Sequence, residues 1–131
     1  MQRLHSNILL LEEEPTLMQI TAFRLELLGH VVHAVDSAAQ GLKWLETNEP
    51  GLIAVGQVSD IDPVELLNRI SDDTRTSDVP LVFMSANSDL SEVQRAFNAG
   101  ADEYLVTPYD PLVLERKVEG LLAVSASVKR K

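Results

Sequence analysis

The sequence predicts one doubly wound α/β domain on a five-stranded parallel sheet, and three observations carry that expectation. Five strand-length apolar runs, at 7–11, 31–35, 52–58, 80–84 and 103–106, are rich in Val, Ile and Leu on consecutive rather than alternating positions. A parallel sheet covered on both faces needs that pattern. Helical patterns lie between the runs, so the order is β-α five times over, with right-handed crossovers expected. Length and composition agree: 131 residues, 45% hydrophobic and 24% charged, suit one compact domain with an ordinary core.

Local signals place each helix. The first opens at Pro15, a favourable first-turn residue, and ends at Gly29, where the missing Cβ permits a left-handed cap. The second opens with the capping-box pattern Ser37-Ala-Ala-Gln40 and runs to about Thr47. The third has Asp62 as N-cap, Pro63 at its first position and Glu65 at its third. The fourth opens at Ser91-Glu-Val-Gln94, carries Val93, Ala96 and Phe97 on one face and stops at Gly100. The last repeats the Asp-Pro opening at Asp110-Pro111 and carries Leu114, Val118, Leu121 and Leu122 at helical spacing. The domain reads as 1–124, with 125–131 as a terminal tail or the start of a linker.

Charge and motifs narrow the chemistry. Twenty Asp plus Glu against 11 Lys plus Arg give a formal charge of -9, which repels phosphate backbones and anionic lipid. Neither nucleic acid nor a membrane is expected as a partner of this domain. The absence of Cys excludes disulfides, thiol catalysis and Cys-ligated zinc. No apolar run reaches the roughly 18 residues of a membrane span, and the amino terminus lacks a signal-peptide core, so a cytoplasmic location is expected. There is no Gly-x-Gly-x-x-Gly, P-loop, Gly-x-Ser-x-Gly elbow or His-Glu-x-x-His. His5, His30 and His33 are not paired with carboxylates at metal-ligand spacing and are expected to be structural. Ser85 has no base evident in the sequence, and the chain is not expected to be an enzyme.

In an open α/β sheet ligands bind where strands end, so the residues after each strand are the informative ones. After the first come Glu12, Glu13 and Glu14; after the third, 56–62; after the fourth, Ser85-Ala-Asn87; after the fifth, Thr107-Pro108. Three consecutive carboxylates repel one another unless a cation, water or basic partner faces them. Capping of the following helix, where negative charge favours the dipole, is the competing explanation.

Four segments in order carry a family resemblance: Leu9-Leu-Leu-Glu-Glu-Glu-Pro15, Pro50-Gly-Leu-Ile-Ala-Val55, Pro80-Leu-Val-Phe-Met-Ser-Ala86 and Ala99-Gly-Ala-Asp-Glu-Tyr-Leu-Val-Thr-Pro-Tyr-Asp-Pro111. They resemble the receiver domain of two-component response regulators across nearly the whole chain. The resemblance implies a flavodoxin-like topology with strand order 2-1-3-4-5. It also implies an aspartate phosphoacceptor at the end of the third strand, an acidic Mg²⁺ pair after the first, a hydroxyl after the fourth and a Lys-Pro after the fifth. Glu12 and Glu13 match the acidic pair, but their longer side chains suit octahedral Mg²⁺ poorly, so Mg²⁺ is expected to bind weakly or not at all. No other cofactor is expected. Ser85 matches the hydroxyl and Tyr104 the aromatic switch residue. The acceptor position falls on Gly56, or on Val55 or Gln57 if the alignment slips, none of which can form an acyl phosphate, and the lysine position falls on Thr107, before Pro108. Losing Asp and Lys together is coherent, because either one alone would leave a poorly compensated charge.

The resulting expectation is a pseudo-receiver that works by protein docking rather than by accepting phosphate. Its partner would be an output domain, a histidine kinase or another regulator, with a homodimer as a further option. Two alternatives stay open: a working phosphorelay receiver that uses the loop aspartate Asp60, and a small flavodoxin-like metal-dependent enzyme or cofactor binder. The first helix offers a partner surface. Leu17, Met18, Thr21, Ala22, Leu25 and Leu28 form one arc, and Ile20, Phe23 and Leu27 form a second stripe roughly 120° away by helical spacing. Arg95 and Tyr109 mark a second candidate surface, on the face that the resemblance implies for partner and dimer contacts.

Overall fold

The structure, a computed structural model, describes residues 5–129. Strands β1 (Asn7–Leu11), β2 (Val31–Val35), β3 (Leu52–Val55), β4 (Leu81–Ser85) and β5 (Glu103–Val106) alternate with helices α1 (Pro15–Leu27), α2 (Ala38–Leu45), α3 (Pro63–Asp72), α4 (Leu90–Asn98) and α5 (Pro111–Lys129). All strand pairs are parallel, in the order β2-β1-β3-β4-β5. The apolar runs explain which strands sit inside: β3 is buried throughout and β4 nearly so, whereas the edge strand β2 is mostly exposed.

Side chains alternate across the sheet into two cores. Leu9, Leu11, Ile53, Val55 and Phe83 face the buried residues of α2, α3 and α4. Ile8, Leu10, Leu52, Ala54 and Met84 pack with Leu25 of α1 and with Leu114, Val118 and Leu122 of α5. The opening signals operate as expected at α2 and α3, where Ser37 accepts from the Gln40 amide and Asp62 from the Glu65 amide. Gly29 and Gly100 adopt φ of 97° and 116°, the left-handed conformation that lets the chain leave α1 and α4.

Three expectations need correction, and one helix runs further than its apolar pattern. β3 ends at Val55 rather than at residue 58. The Gly56 amide donates to Leu11 O, the Gln57 amide turns to the Glu12 carboxyl group, and the chain leaves the sheet there. α4 begins at Leu90, after Asp89, so Ser91 lies inside the helix rather than capping it. Phe97 is not core: it is 44% exposed, while Ala96 beside it is buried. Finally, α5 continues to Lys129, so residues 125–129 are helical. Residues 130 and 131 of the expected tail lie outside the described residues.

The histidines have packing roles. His30 is buried and its Nδ1 accepts from the Ser6 amide, and His33 stacks on Trp44 with centroids 5.0 Å apart. No described helix is long and apolar enough to cross a membrane.

Candidate functional site

The carboxyl ends of β1, β3, β4 and β5 surround a cleft of about 280 Å³, lined by Glu12, Gly56, Gln57, Ser85, Asn87 and Thr107 over an apolar floor that includes Leu17, Phe83 and Met84. Parallel strand order produces this gathering: the loops after β1 and β3 adjoin because those strands pair, and β4 and β5 complete the rim.

The three consecutive carboxylates have three different fates. Glu14 is the N-cap of α1 and accepts from the Thr16 and Leu17 amides at 3.2 and 2.6 Å. Glu13 reaches the loop after β3, where Ser59 Oγ donates to both its oxygens at 2.6 and 2.7 Å and Gln57 Nε2 donates at 3.2 Å. Glu12 turns inward. It is 1% exposed, and its oxygens accept from the Glu14 amide at 2.9 Å and the Gln57 amide at 3.2 Å. Capping therefore explains one carboxylate of the three.

Glu12 and Gly56 interlock. A β-carbon on residue 56 would lie 2.2 Å from Glu12 Oε1 and 3.2 Å from the Leu11 carbonyl oxygen. A side chain at 56 would thus displace the Glu12 carboxyl group from its place against the Gln57 amide, whereas the backbone makes no demand for glycine, since its φ is not positive. Burial pushes the Glu12 carboxyl above the ordinary glutamate range. The two amide hydrogen bonds oppose the rise, and the nearby Glu14 and Glu13 charges add to it.

These residues do not fit Mg²⁺. Each Glu12 oxygen already accepts a backbone amide, Glu13 is occupied by Ser59 and Gln57, and position 56 supplies no oxygen-bearing side chain. Among the described residues no group of three or more His, Asp or Glu could hold a metal ion.

Asp60 lies outside the cleft lining. Its two oxygens accept from the Ala38 and Ala39 amides at 2.9 Å each, so it caps α2 from another loop, and those amides hold its carboxyl below the usual aspartate range.

The β4–β5 side keeps its expected residues together. Ser85 Oγ accepts from the Asn87 amide at 3.1 Å, and Tyr104, 8% exposed, donates its hydroxyl to Asn87 O at 2.6 Å. Its ring meets Phe83 edge-on at 5.5 Å. Thr107 donates its amide to Ser85 O and precedes a cis peptide to Pro108. Thr107 thus lines the cleft at the position where the family resemblance implies a lysine.

The candidate surfaces separate. Ile20, Phe23 and Leu27 are 48%, 57% and 59% exposed, so the second stripe of α1 stays open. Tyr109 does not extend an exposed surface. It is half-buried against α1, shares a 2.5 Å hydrogen bond with Thr21 and has its phenol pKa raised by burial. Arg95 is exposed and pairs with Glu92 at 2.8 Å. Sequence reasoning missed Gln57, Ser59 and Thr21 as partners of these residues. Thr21 between Ile20 and Ala22 was a signal of a buried polar role, but nothing local pointed to Glu13 or Tyr109 as partners.

Comparison with known proteins agrees with this geometry. The response regulator receiver domain family matches residues 8–119. The chain is 30% identical over 118 residues to the transcriptional regulatory protein CseB of Streptomyces avermitilis, covering 89% of this chain and 49% of that protein. It thus spans about half the length of such curated relatives. An uncharacterized 14.6 kDa protein of Leptolyngbya boryana is 30% identical over 115 residues, covering 86% of this chain and 87% of its own. The signal receiver domain of a signal transduction histidine kinase from Syntrophus aciditrophicus superimposes with a TM-score of 0.85 at 25% identity, covering 96% and 94% of the two chains. With a flavodoxin-like sheet, a cleft at the strand ends and a family match across most of its length, the chain belongs to the response regulator receiver domains.

Proposed function

We propose that this domain is a pseudo-receiver: it signals without phosphoryl transfer, by docking to an output domain, a histidine kinase or another regulator. The observation that supports this most directly is the interlock of Glu12 with Gly56. The Glu12 carboxyl group takes the space that a side chain at position 56 would need and spends its oxygens on two loop amides. A carboxyl group in that role binds the loops together and offers no exposed nucleophile.

Charge supports the same reading. No cation lines the cleft among the described residues, so phosphoryl oxygens entering beside Glu12 would meet no compensating side-chain charge. The alternative acceptor, Asp60, has both oxygens on the start of α2. Kinship with transcriptional regulatory proteins favours a transcriptional output module as one partner. Without an acyl phosphate, Ser85 and Tyr104 change state only if a partner binds two conformations unequally.

The test is an NMR titration with Mg²⁺ and then beryllofluoride, which mimics a phosphoryl group on an acceptor carboxylate. The amides of Glu12, Gln57, Ser85 and Tyr104 are expected to show no saturable beryllofluoride response. A saturable shift spreading from residues 56–60 to Tyr104 would show a working phosphorelay switch and overturn the proposal.

A further inference from the structure

We propose that the cleft at the strand ends binds a primary ammonium group carried on a short alkyl chain, with Glu12 as its counter-ion. The inference rests on the phosphorylation-independent reading above, which leaves the cleft to a ligand other than a phosphoryl group, and it names the chemistry of that ligand.

The first argument is a buried carboxyl group with no counter-ion. Glu12 is 1% exposed and forms part of the cleft wall. None of the five ion pairs among the described residues uses it, and no described Lys, Arg or His lines the cleft. Buried carboxylates are ordinarily paired, because leaving water costs them more than neutral hydrogen bonds return. The charges of Glu13 and Glu14 act on the same group, so the local potential favours a cation further.

The second argument selects the cation. A carboxylate offers about four lone-pair sites, and the Glu14 and Gln57 amides take one on each oxygen. What remains is too little for the six oxygens of octahedral Mg²⁺ but enough for an ammonium, a compact charge that needs one acceptor per N–H. Ser85, Asn87 and Thr107 on the same lining carry further side-chain oxygens. The floor of Leu17, Phe83 and Met84 suits the alkyl chain, since each methylene moved there from water favours binding by roughly fourfold. At about 280 Å³ the cleft falls just below the roughly 300–1,000 Å³ of sites for drug-sized ligands, so the ligand is small.

Such a ligand would act on the switch residues. The Asn87 amide donates to Ser85 Oγ, and Tyr104 donates to Asn87 O. A group bound against residues 85–87 therefore changes what holds Tyr104, and supplies the unequal binding that two conformations require. A free alkylamine and the lysine side chain of a partner protein carry the same chemistry.

The test titrates n-butylammonium, methylammonium and n-butanol into the labelled chain at fixed ionic strength, and Mg²⁺ with beryllofluoride separately. n-Butylammonium is expected to shift the amides of Glu12, Gln57, Ser85, Asn87 and Tyr104 saturably with a Kd below about 10 mM. It should bind at least about tenfold more tightly than methylammonium, which lacks the chain, and than n-butanol, which lacks the charge. A further arm uses Nα-acetyl-lysine N-methylamide: affinity equal to or above that of n-butylammonium assigns the site to a partner's lysine, and weaker affinity assigns it to a free amine. Glu12→Gln is expected to cost at least about tenfold in n-butylammonium affinity. Should that variant fail to fold, Thr107→Lys supplies a resident ammonium and is expected to weaken n-butylammonium binding by at least about tenfold. Equal affinity for n-butanol or methylammonium, shifts centred away from the cleft, or full affinity in a folded Glu12→Gln or Thr107→Lys variant overturns the inference. If neither n-butylammonium nor beryllofluoride gives a saturable response, the ammonium site fails while phosphorylation independence stands. If both do, the site stands and phosphorylation independence fails.

Discussion

On the β1–β3 side of the cleft a buried carboxyl group interlocks with a glycine, whereas on the β4–β5 side a serine, a loop residue and a tyrosine are joined by hydrogen bonds through Asn87. The first arrangement is desolvated, so any side chain added at 56 must displace a buried carboxyl group from two amides. The second is polar and adjustable, because each bond can be exchanged for water at modest cost. The two halves of one cleft thus rest on different physics, a shared volume on one side and a hydrogen-bonded chain on the other.

Breaking the interlock gives the largest expected effect. Gly56→Asp places a β-carbon against Glu12 Oε1 and a second carboxylate in a site without a cation. It is expected to cost about 3 kcal/mol or more in urea unfolding. Adding Glu12→Ala to that variant frees the space, and the double-mutant cycle should show about 1–3 kcal/mol of favourable coupling. Additive effects would mean that the two positions are independent.

The polar side should respond less. Tyr104→Phe keeps the ring against Phe83 but removes the donor to Asn87 O, for an expected loss of about 1–2 kcal/mol and amide shifts confined to the loop after β4. Asp60→Ala removes two amide acceptors at the start of α2. About 1 kcal/mol of stability and faster hydrogen exchange at Ala38 and Ala39 are expected.

The smallest effect separates the carboxylates by pH. Because the folded state raises the Glu12 pKa, it holds that proton to higher pH than the unfolded chain. The Glu12 contribution to stability is therefore fully present below the ordinary glutamate range and is lost as pH rises through the raised pKa. Asp60 runs the other way: its contribution is present above the ordinary aspartate range and is lost as pH falls through its lowered pKa. Urea midpoints measured against pH should lose the first dependence in Glu12→Gln and the second in Asp60→Asn.

Much of this architecture can be read from local pattern. Pro15, Ser37, Asp62 and Asp110-Pro111 announce four helices because capping groups act within three residues of one another. The consecutive apolar positions of β3 and β4 announce burial on both faces. Gly56, Thr107 and the two-sided α1 were likewise visible in the chain. Strand order was not legible from periodicity and came from the family resemblance, since the pattern of one strand says nothing about its neighbour.

By itself, then, the amino-acid sequence determined the order of elements, the helix starts, the residue types at the strand ends and the apolar ridge on α1, all of which depend on neighbours a few residues away. Only the tertiary structure decided which carboxylate does what. Glu12 meets an amide 45 positions away, Glu13 a serine 46 away, and Asp60 a helix start 22 away. Three adjacent glutamates share one chemistry. Glu14 is set apart locally by its place before Pro15, but Glu12 and Glu13 become distinct only when β1 pairs with β3, because burial, a neighbour's missing side chain and a facing loop are properties of the assembled sheet.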